Sequence, residues 1–290
     1  MALRDEPIRF HAYGERLLDR VLLGDHCTRA QRSLDDAFRF VCWNIERGVK
    51  WKEILTALKG PLNADVYALQ EVEIGTRRVA GLNIADILGS ELNLDYVFAT
   101  EFVKLPSGIR RHTGLHGQLV LAPMHPADLR VLRFSRQHRN WRIRFKPRLR
   151  VLGPRIGGRI ALVTEFDSGP HSLVIYNTHL ESRSDEHGRA CHVSEIIADC
   201  ERHYGSDKPI IIAGDLNTMA GSSSPLVTLL LHNGFTDAFD RSDSDVVTRP
   251  DHKQRVDWVF VRNLYVRSRN VLPLPYSDHL PLLVELAFRD

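Results

Sequence analysis

No stretch of this 290-residue chain is long and apolar enough to cross a bilayer. The longest apolar runs, around Leu226–Leu231 and Ile210–Gly214, fall far short of the ~20 residues a spanning helix needs. Arg4, Asp5, Glu6, Asp19 and Arg20 break up the leucine-rich beginning, which reads against a secretory signal. Cysteine is scarce: Cys27, Cys42, Cys191 and Cys200 are scattered, with no CxxC pair. That excludes a disulfide scaffold and a cysteine zinc site, and the expected location is the reducing cytoplasm. HExxH, GxxxxGK[ST] and GxSxG are all missing. The chain therefore lacks the signatures of a zinc protease, a P-loop nucleotidase and a serine hydrolase of the α/β type. GPRIGGR, without a following Lys-Ser/Thr, reads as a turn. There is no internal repeat, low-complexity tract or Gly/Ser linker, so one continuous domain over residues 38–290 is expected. It follows a polar, partly helical lead-in, residues 1–37, in which RLLDRVLL has helical spacing.

What remains is an ordinary globular composition, 43% hydrophobic and 26% charged, which excludes disorder and supplies a large core. The net charge of +3 is unevenly spread. Residues 133–150, RFSRQHRNWRIRFKPRLR, hold eight of the 39 basic residues and no acid, leaving 31 basic against 36 acidic elsewhere. From Phe38 onward short apolar runs alternate with helical stretches. Expected strands are FRFVCWN, DVYALQ, DYVFAT, GQLVLA, WRIRF, RIALVTEF, SLVIYNT, PIIIAG, VDWVFV and LLVELAF, and helices are expected to begin near Trp51, Asn83, His187 and Ser223. Many strands and few helices point to an α/β or α+β sandwich. Adjacent strands without room for a crossover helix must pair antiparallel.

Several strands end alike, in polar residues that bind metals or move protons. Asn44 and Glu46 follow FRFVCW, Glu71 follows VYALQ, Asn177 and His179 end SLVIY, and Asp215 and Asn217 end PIIIAG. Asp257, Asp278 and His279 lie near the C-terminus. Carboxylates beside buried runs cost several kcal/mol (roughly) unless paired or bound to a cation. Strand ends converging on a cleft with a divalent metal would account for all of them, and carboxylate and amide oxygens suit magnesium or manganese. Taken singly, Glu71, Asp215 and His279 read equally as solvated strand ends or ion pairs; together and in order they read as a site. Glu46, beside Arg47, reads as readily as an exposed acid. His112, His116, His187 and His192 read as surface or satisfied core groups.

WNIERG, LQEV, YNTHLES, AGDLNT, RVDWVFV and YSDHLPL, in this order, resemble the endonuclease/exonuclease/phosphatase superfamily, from Phe38 to the C-terminus. The resemblance implies a four-layer sandwich, two mostly antiparallel sheets packed face to face with helices outside. It also implies Mg2+- or Mn2+-dependent hydrolysis of a phosphate ester by in-line attack of water. Matched by motif, Glu71 is the principal metal ligand with Asn44 beside it, and Asp257 is a second ligand or an orienting residue. Asp215 orients or deprotonates the water, Asn217 donates to phosphate or water, and His279 contacts the phosphate with Asp278 fixing its tautomer. His179 is a second phosphate-contacting histidine and Asn177 its partner in the cleft. The chain departs from the family at Gln118 and Ala122, where Asn and Ser are usual, and at His192, where a Gln follows the arginine matched by Arg189. By the resemblance, these departures leave the metal and water residues untouched and bear on the substrate pocket.

In WRIRFKPRLR, Arg142, Arg144 and Lys146 alternate with Trp141, Ile143 and Phe145. If extended, this stretch offers a cationic face that would track a phosphate backbone, with aromatics to stack on bases. Edge strands also carry cations as a guard against aggregation, and anionic lipid headgroups would be attracted too. The expected function is a phosphodiesterase acting on nucleic acid, with Arg142, Arg144, Lys146 and Arg189 as substrate-binding residues. The alternatives are an enzyme for a phospholipid headgroup or small phosphate ester, and an inactive nucleic-acid-binding module.

Overall fold

The computed structural model describes residues 16–28, 33–104, 113–137, 155–239 and 246–289. The strand expected at WRIRF, with Arg142, Arg144 and Lys146, falls outside the described residues. In chain order the strands are β1 (Val21–Gly24), β2 (Ala37–Asn44), β3 (Val66–Ile74), β4 (Asp95–Lys104), β5 (Gly114–Ala122), β6 (Asp128–Arg133) and β7 (Arg155–Gly157). They continue as β8 (Ile160–Ser168), β9 (His171–His179), β10 (Ile210–Asp215), β11 (Thr236–Asp237), β12 (Asp257–Arg262), β13 (Leu264–Val271) and β14 (Leu282–Phe288). The longer helices are α1 (Trp51–Lys59), α2 (Ile84–Leu92), α3 (Glu186–Tyr204) and α4 (Pro225–His232).

The first sheet runs β1-β4-β5-β3-β2-β14-β13, with β7 also on β4; the second runs β11-β12-β10-β9-β8-β6. Among the described residues every strand pairing is antiparallel except β2 with β3 and β9 with β10. Those two parallel pairs are the ones whose connections contain α1 and α3, as a parallel crossover requires.

Alternation along the strands builds the layers. Phe38, Phe40 and Cys42 of β2 face inward and meet Ile211, Ala213, Val259 and Val261 of the second sheet. Val41 and Trp43 face outward against Ile54 and Leu58 of α1 and Ile84 and Leu88 of α2. On the other side Val193, Ile196 and Cys200 of α3, with Leu226 and Leu230 of α4, cover Ile210, Ile212, Trp258 and Phe260. The result is the expected four-layer sandwich, helices, sheet, sheet, helices. Helix ends follow local chemistry. The Asn83 side chain accepts from the Asp86 N–H, Asp185 accepts from Gly188, and Pro225 opens α4 at its first turn.

The lead-in differs from expectation. Residues 16–18 are helical, but Val21–Gly24, which overlaps the end of the stretch of helical spacing, is an edge strand paired with residues 96–99 of β4, so the first sheet begins before residue 37. Four short apolar residues are enough for a strand once a neighbour supplies the ladder. Strand β13 gave no sequence signal because Arg267, Arg269 and Asn270 lie on a solvated edge, where no apolar alternation is required.

Candidate active site

The apolar stripes between the sheets give way to polar groups at one end of the sandwich. On β2 the inward series Phe38, Phe40, Cys42 ends in Asn44, and on β3 Val66, Ala68 leads to Gln70. On β10 Ile211 and Ala213 lead to Asp215, while β12 enters the layer with Asp257 ahead of Val259. Parallel pairing sets Asp215 beside His179, and antiparallel pairing sets it beside Asp257. Gly214, at φ 146°, precedes Asp215, and a Cβ there would strike the Thr178 carbonyl. Only glycine lets β9 and β10 approach this closely at the site.

Asp215 is the hub. Its Oδ2 accepts from Asn44 Nδ2 at 3.1 Å and lies 3.3 Å from His179 Nε2 and 3.7 Å from His279 Nε2. Its Oδ1 accepts the Asn217 N–H at 2.9 Å. Burial pushes the carboxyl up most, His279 draws it down, and Asp257 pushes it up again, leaving it near 7, up from 3.8. His279 donates from Nδ1 to Asp257 Oδ2 at 2.8 Å. Burial opposes its protonation, but the Asp257 and Asp215 carboxylates outweigh that and raise it to about 10, so it is an imidazolium at neutral pH. His179 is the opposite case: burial first, then the charges of Arg159, His116 and His279, hold it well below its ordinary range. It is neutral, and its Nδ1 has no hydrogen-bond partner.

The loop bearing His279 is fastened to β2. Trp43 Nε1 donates to the His279 carbonyl at 2.9 Å, Ser277 Oγ donates to the Asn44 carbonyl at 2.7 Å, and His279 N–H returns to Ser277 Oγ at 3.1 Å. On the Asp257 side, Thr248 Oγ1 accepts the backbone N–H groups of Val256 and Asp257.

Glu71 faces this hub from the first sheet. It lies 4.0 Å from His179 Nδ1 and 3.5 Å from Arg47 Nε. Burial would raise its carboxyl, but His116, Arg47 and Arg159 together bring it below its ordinary value. Asn44, Glu71, His179, Asp215, Asn217, Asp257 and His279 thus share one end of the sandwich. The tautomer-fixing contact expected of Asp278 belongs to Asp257. The Asp278 Oδ1 atom lies 4.0 Å from His279 Nε2, and the side chain is 36% exposed and pairs with Arg249 at 3.1 Å. Its neighbour in sequence points inward while it points out, so adjacency did not give contact. Asn177 sits one pleat deeper than His179, fully buried and bonded into the first sheet, not open to a substrate.

Arg189 is also committed elsewhere. Its guanidinium donates to the carbonyls of Glu181 and Ser184 and to Glu186 Oε1 at 3.1, 2.6 and 2.7 Å, which corrects its expected role as a substrate contact. It is a brace at the start of α3. Glu186 collects four donors there: Arg189, Thr218, Ser224 and the Met219 N–H. Burial pushes its carboxyl up, but these bonds outweigh it and hold it near 2, down from 4.5. A depressed acid stabilises the fold above its unfolded pKa and loses that stabilisation as pH falls through the folded one. The parent should therefore lose more stability than Glu186→Gln between pH 4.5 and about 2, measured by urea unfolding at each pH. Parallel losses in the two proteins would remove Glu186 from this role. His192 is a core group, stacked on Phe134 with Nε2 2.7 Å from the Arg136 carbonyl and Nδ1 buried without a hydrogen-bond partner.

Sequence reasoning missed a buried ionic network behind Glu71. Glu101 pairs with Arg159 at 2.6 Å, and Glu73 meets Arg78 and Lys104, with His116 between the two acids. Glu73 follows Glu71 by two residues and could have been read as its companion on the same face.

The donor set suits a divalent cation. The Asp257 Oδ1 atom is buried without a hydrogen-bond partner, a costly state that a cation relieves. Carboxylate oxygens of Asp215 and Asp257 lie within 4.8 Å of each other, and Glu71 and Asn44 add hard oxygens.

The UPF0294 proteins of Yersinia pestis and Yersinia pseudotuberculosis are each 27% identical to this chain over 263 residues, covering 86% of it and 84% of the relative. Among solved structures, the human nocturnin catalytic domain superposes with a TM-score of 0.64 at 18% identity, over 89% of this chain and 96% of that one. A mannosyl-6-phosphatase of Bacteroides thetaiotaomicron gives 0.62 at 14% identity, over 86% and 99%. The sequence profile of the endonuclease/exonuclease/phosphatase family matches residues 41–279. A match that opens within β2, just ahead of Asn44, and closes on His279 takes in the whole polar end of the sandwich, and by it the chain belongs to the endonuclease/exonuclease/phosphatase family, whose members hydrolyse phosphate esters.

Proposed function

We propose that this chain is a divalent-cation-dependent phosphodiesterase whose substrate is nucleic acid. The observation that carries the reading is the Asp257–His279–Asp215 chain of contacts set opposite Glu71 and Asn44. Glu71 and Asn44 would hold the cation, Mg2+ or Mn2+, with the open Asp257 Oδ1 as a further oxygen. When bound, such a cation neutralises charge on the phosphate oxygens. Asp215, its carboxylate fixed by Asn44 and the Asn217 N–H, orients the attacking water and takes its proton. His279, held in place by Asp257, presents its Nε2–H to the charge that develops on phosphorus-bound oxygen. Asn217 spends one amide proton on the Leu180 carbonyl and keeps a second for the phosphate or the water. Neutral His179 adds a further hydrogen-bonding group.

Nucleic acid is favoured by the uninterrupted basic window at 133–150. A small phosphate ester is the second reading, since one structure of similar fold is named a mannosyl-6-phosphatase. The test is hydrolysis of bis-p-nitrophenyl phosphate and of single-stranded DNA and RNA, after chelation and after adding back Mg2+ or Mn2+. Activity is expected to vanish in EDTA and to return with either ion; full activity in the chelated protein overturns the mechanism. Replacing Arg142, Arg144 and Lys146 with Gln should flatten the salt dependence of nucleic-acid binding by roughly 0.7 to 0.9 for each phosphate that is no longer neutralised. Turnover of the small diester should stay unchanged. An unaltered salt slope moves the substrate to the small-ester class.

A further inference from the structure

Glu71 reaches the site only because β3 changes parity. Tyr67 and Leu69 face the helices, and Val66, Ala68 and Gln70 face the second sheet. Strict alternation would turn Glu71 toward the helices with Leu69. The register against β5 slips at this point: Leu69 pairs with Leu119 and Val72 with Gly117, leaving Gln70 and Glu71 opposite Gln118 alone. This is a β-bulge, and Glu71 takes φ 59° in it, a left-handed conformation that a glutamate holds only under constraint. Val72 then resumes the helix side and Glu71 is left facing His179.

The constraint comes from the other sheet. Asn177 Oδ1 accepts from Gln70 Nε2 at 2.8 Å, and Asn177 Nδ2 donates to the carbonyls of Leu69 at 3.0 Å and Leu119 at 2.9 Å. All three bonds go to the two strands that form the bulge, at the residues where the register slips. We propose that Asn177 is a positioning residue, a clamp across the sheets that holds the β3 bulge and so aims the Glu71 carboxylate into the site. It touches neither substrate nor reacting atoms. Its effect on cation binding rests on the reading of Glu71 as a ligand; its effect on the bulge does not.

The experiment measures Mn2+ binding to chelator-stripped protein by calorimetry, alongside amide hydrogen exchange at residues 70–72. Asn177→Asp keeps the size but sets a carboxylate oxygen against two carbonyls. It should weaken Mn2+ binding about 10- to 100-fold, the usual loss when a group behind a metal ligand is removed. It should also speed exchange at residues 70–72 by about tenfold or more. Gln70→Met removes only one of the three bonds, so it keeps the test alive if Asn177→Asp does not fold, and it should weaken binding less. Thr178→Val, on the same strand, loses the Oγ1 hydrogen bond to the Ile160 carbonyl within its own sheet. It should lower Tm and leave both readouts unmoved. Parent-like exchange at residues 70–72 in Asn177→Asp and Gln70→Met overturns the clamp, as does an equal change in Thr178→Val. Parent-like Mn2+ binding in Glu71→Gln instead overturns the ligand reading of Glu71 and leaves the exchange result to decide the clamp.

Discussion

Asp215→Asn is expected to lower kcat on bis-p-nitrophenyl phosphate by at least ~100-fold, the scale for losing a positioned base, without lowering the Tm of the chelated protein. The two halves of that expectation come from one cause. Burial and Asp257 raise the folded-state pKa of Asp215 from 3.8 to about 7. For an acid with a raised pKa, ionisation costs stability as pH rises from the unfolded value through the folded one. Above pH 7 the parent bears that cost and the amide does not. Activity should collapse while stability holds or improves, as when a site is built against the fold's own preference. Near-parental kcat in a folded Asp215→Asn would remove the residue from the reaction. A fall in Tm at alkaline pH would mean its hydrogen bonds outweigh its charge.

His279→Ala and Asp257→Asn should each cost at least ~100-fold in kcat, since the imidazolium and the carboxylate that orients it act as one unit. The double variant should then be little worse than either single one. Multiplying losses would mean two independent roles. A stability signature accompanies this. His279 is raised from 6.5 to about 10, chiefly by Asp257 and Asp215 against the opposing effect of burial. A base with a raised pKa contributes stability that is complete below the unfolded pKa and lost as pH rises through the folded one. The chelated parent should lose stability between pH 6.5 and about 10, and His279→Ala should not follow it there. Parallel curves would show that the imidazole is not charged in the folded protein.

The sandwich was legible in the sequence because its layers obey a period of two. FRFVCWN reads as a short apolar run, and the structure sorts it into Phe38, Phe40 and Cys42 on one side and Val41 and Trp43 on the other. Helix starts were legible near Trp51, Asn83, His187 and Ser223, and the four longer helices begin within two residues of these positions, at Trp51, Ile84, Glu186 and Pro225. The gathering of Asn44, Asp215 and Asn217 followed from strands ending together. Contacts that depend on where a side chain points were not legible. Asp278 adjoins His279 in sequence, yet the imidazole turns to Asp257, 22 residues away. Arg189 matches a family position but faces its own helix start. Glu71 lies on the wrong side by simple alternation, and a bulge leaves no signature in composition. Strand β1 was hidden because its pairing with β4 is supplied from more than 70 residues away.

The position of β14 has a consequence for synthesis. It fills the gap between β13 and β2, pairing Leu282–Ala287 against Cys42–Ala37. The first strand to contribute a site residue is thus completed by a strand made after every other in the two sheets. Until residue 288 has left the ribosome, the first sheet has an open edge on β2 and the loop of His279 has no strand to anchor its far side. Closure of the sheet therefore waits for β14, and a nascent chain exposes that edge to chaperones or to aggregation while the rest of the domain is being made.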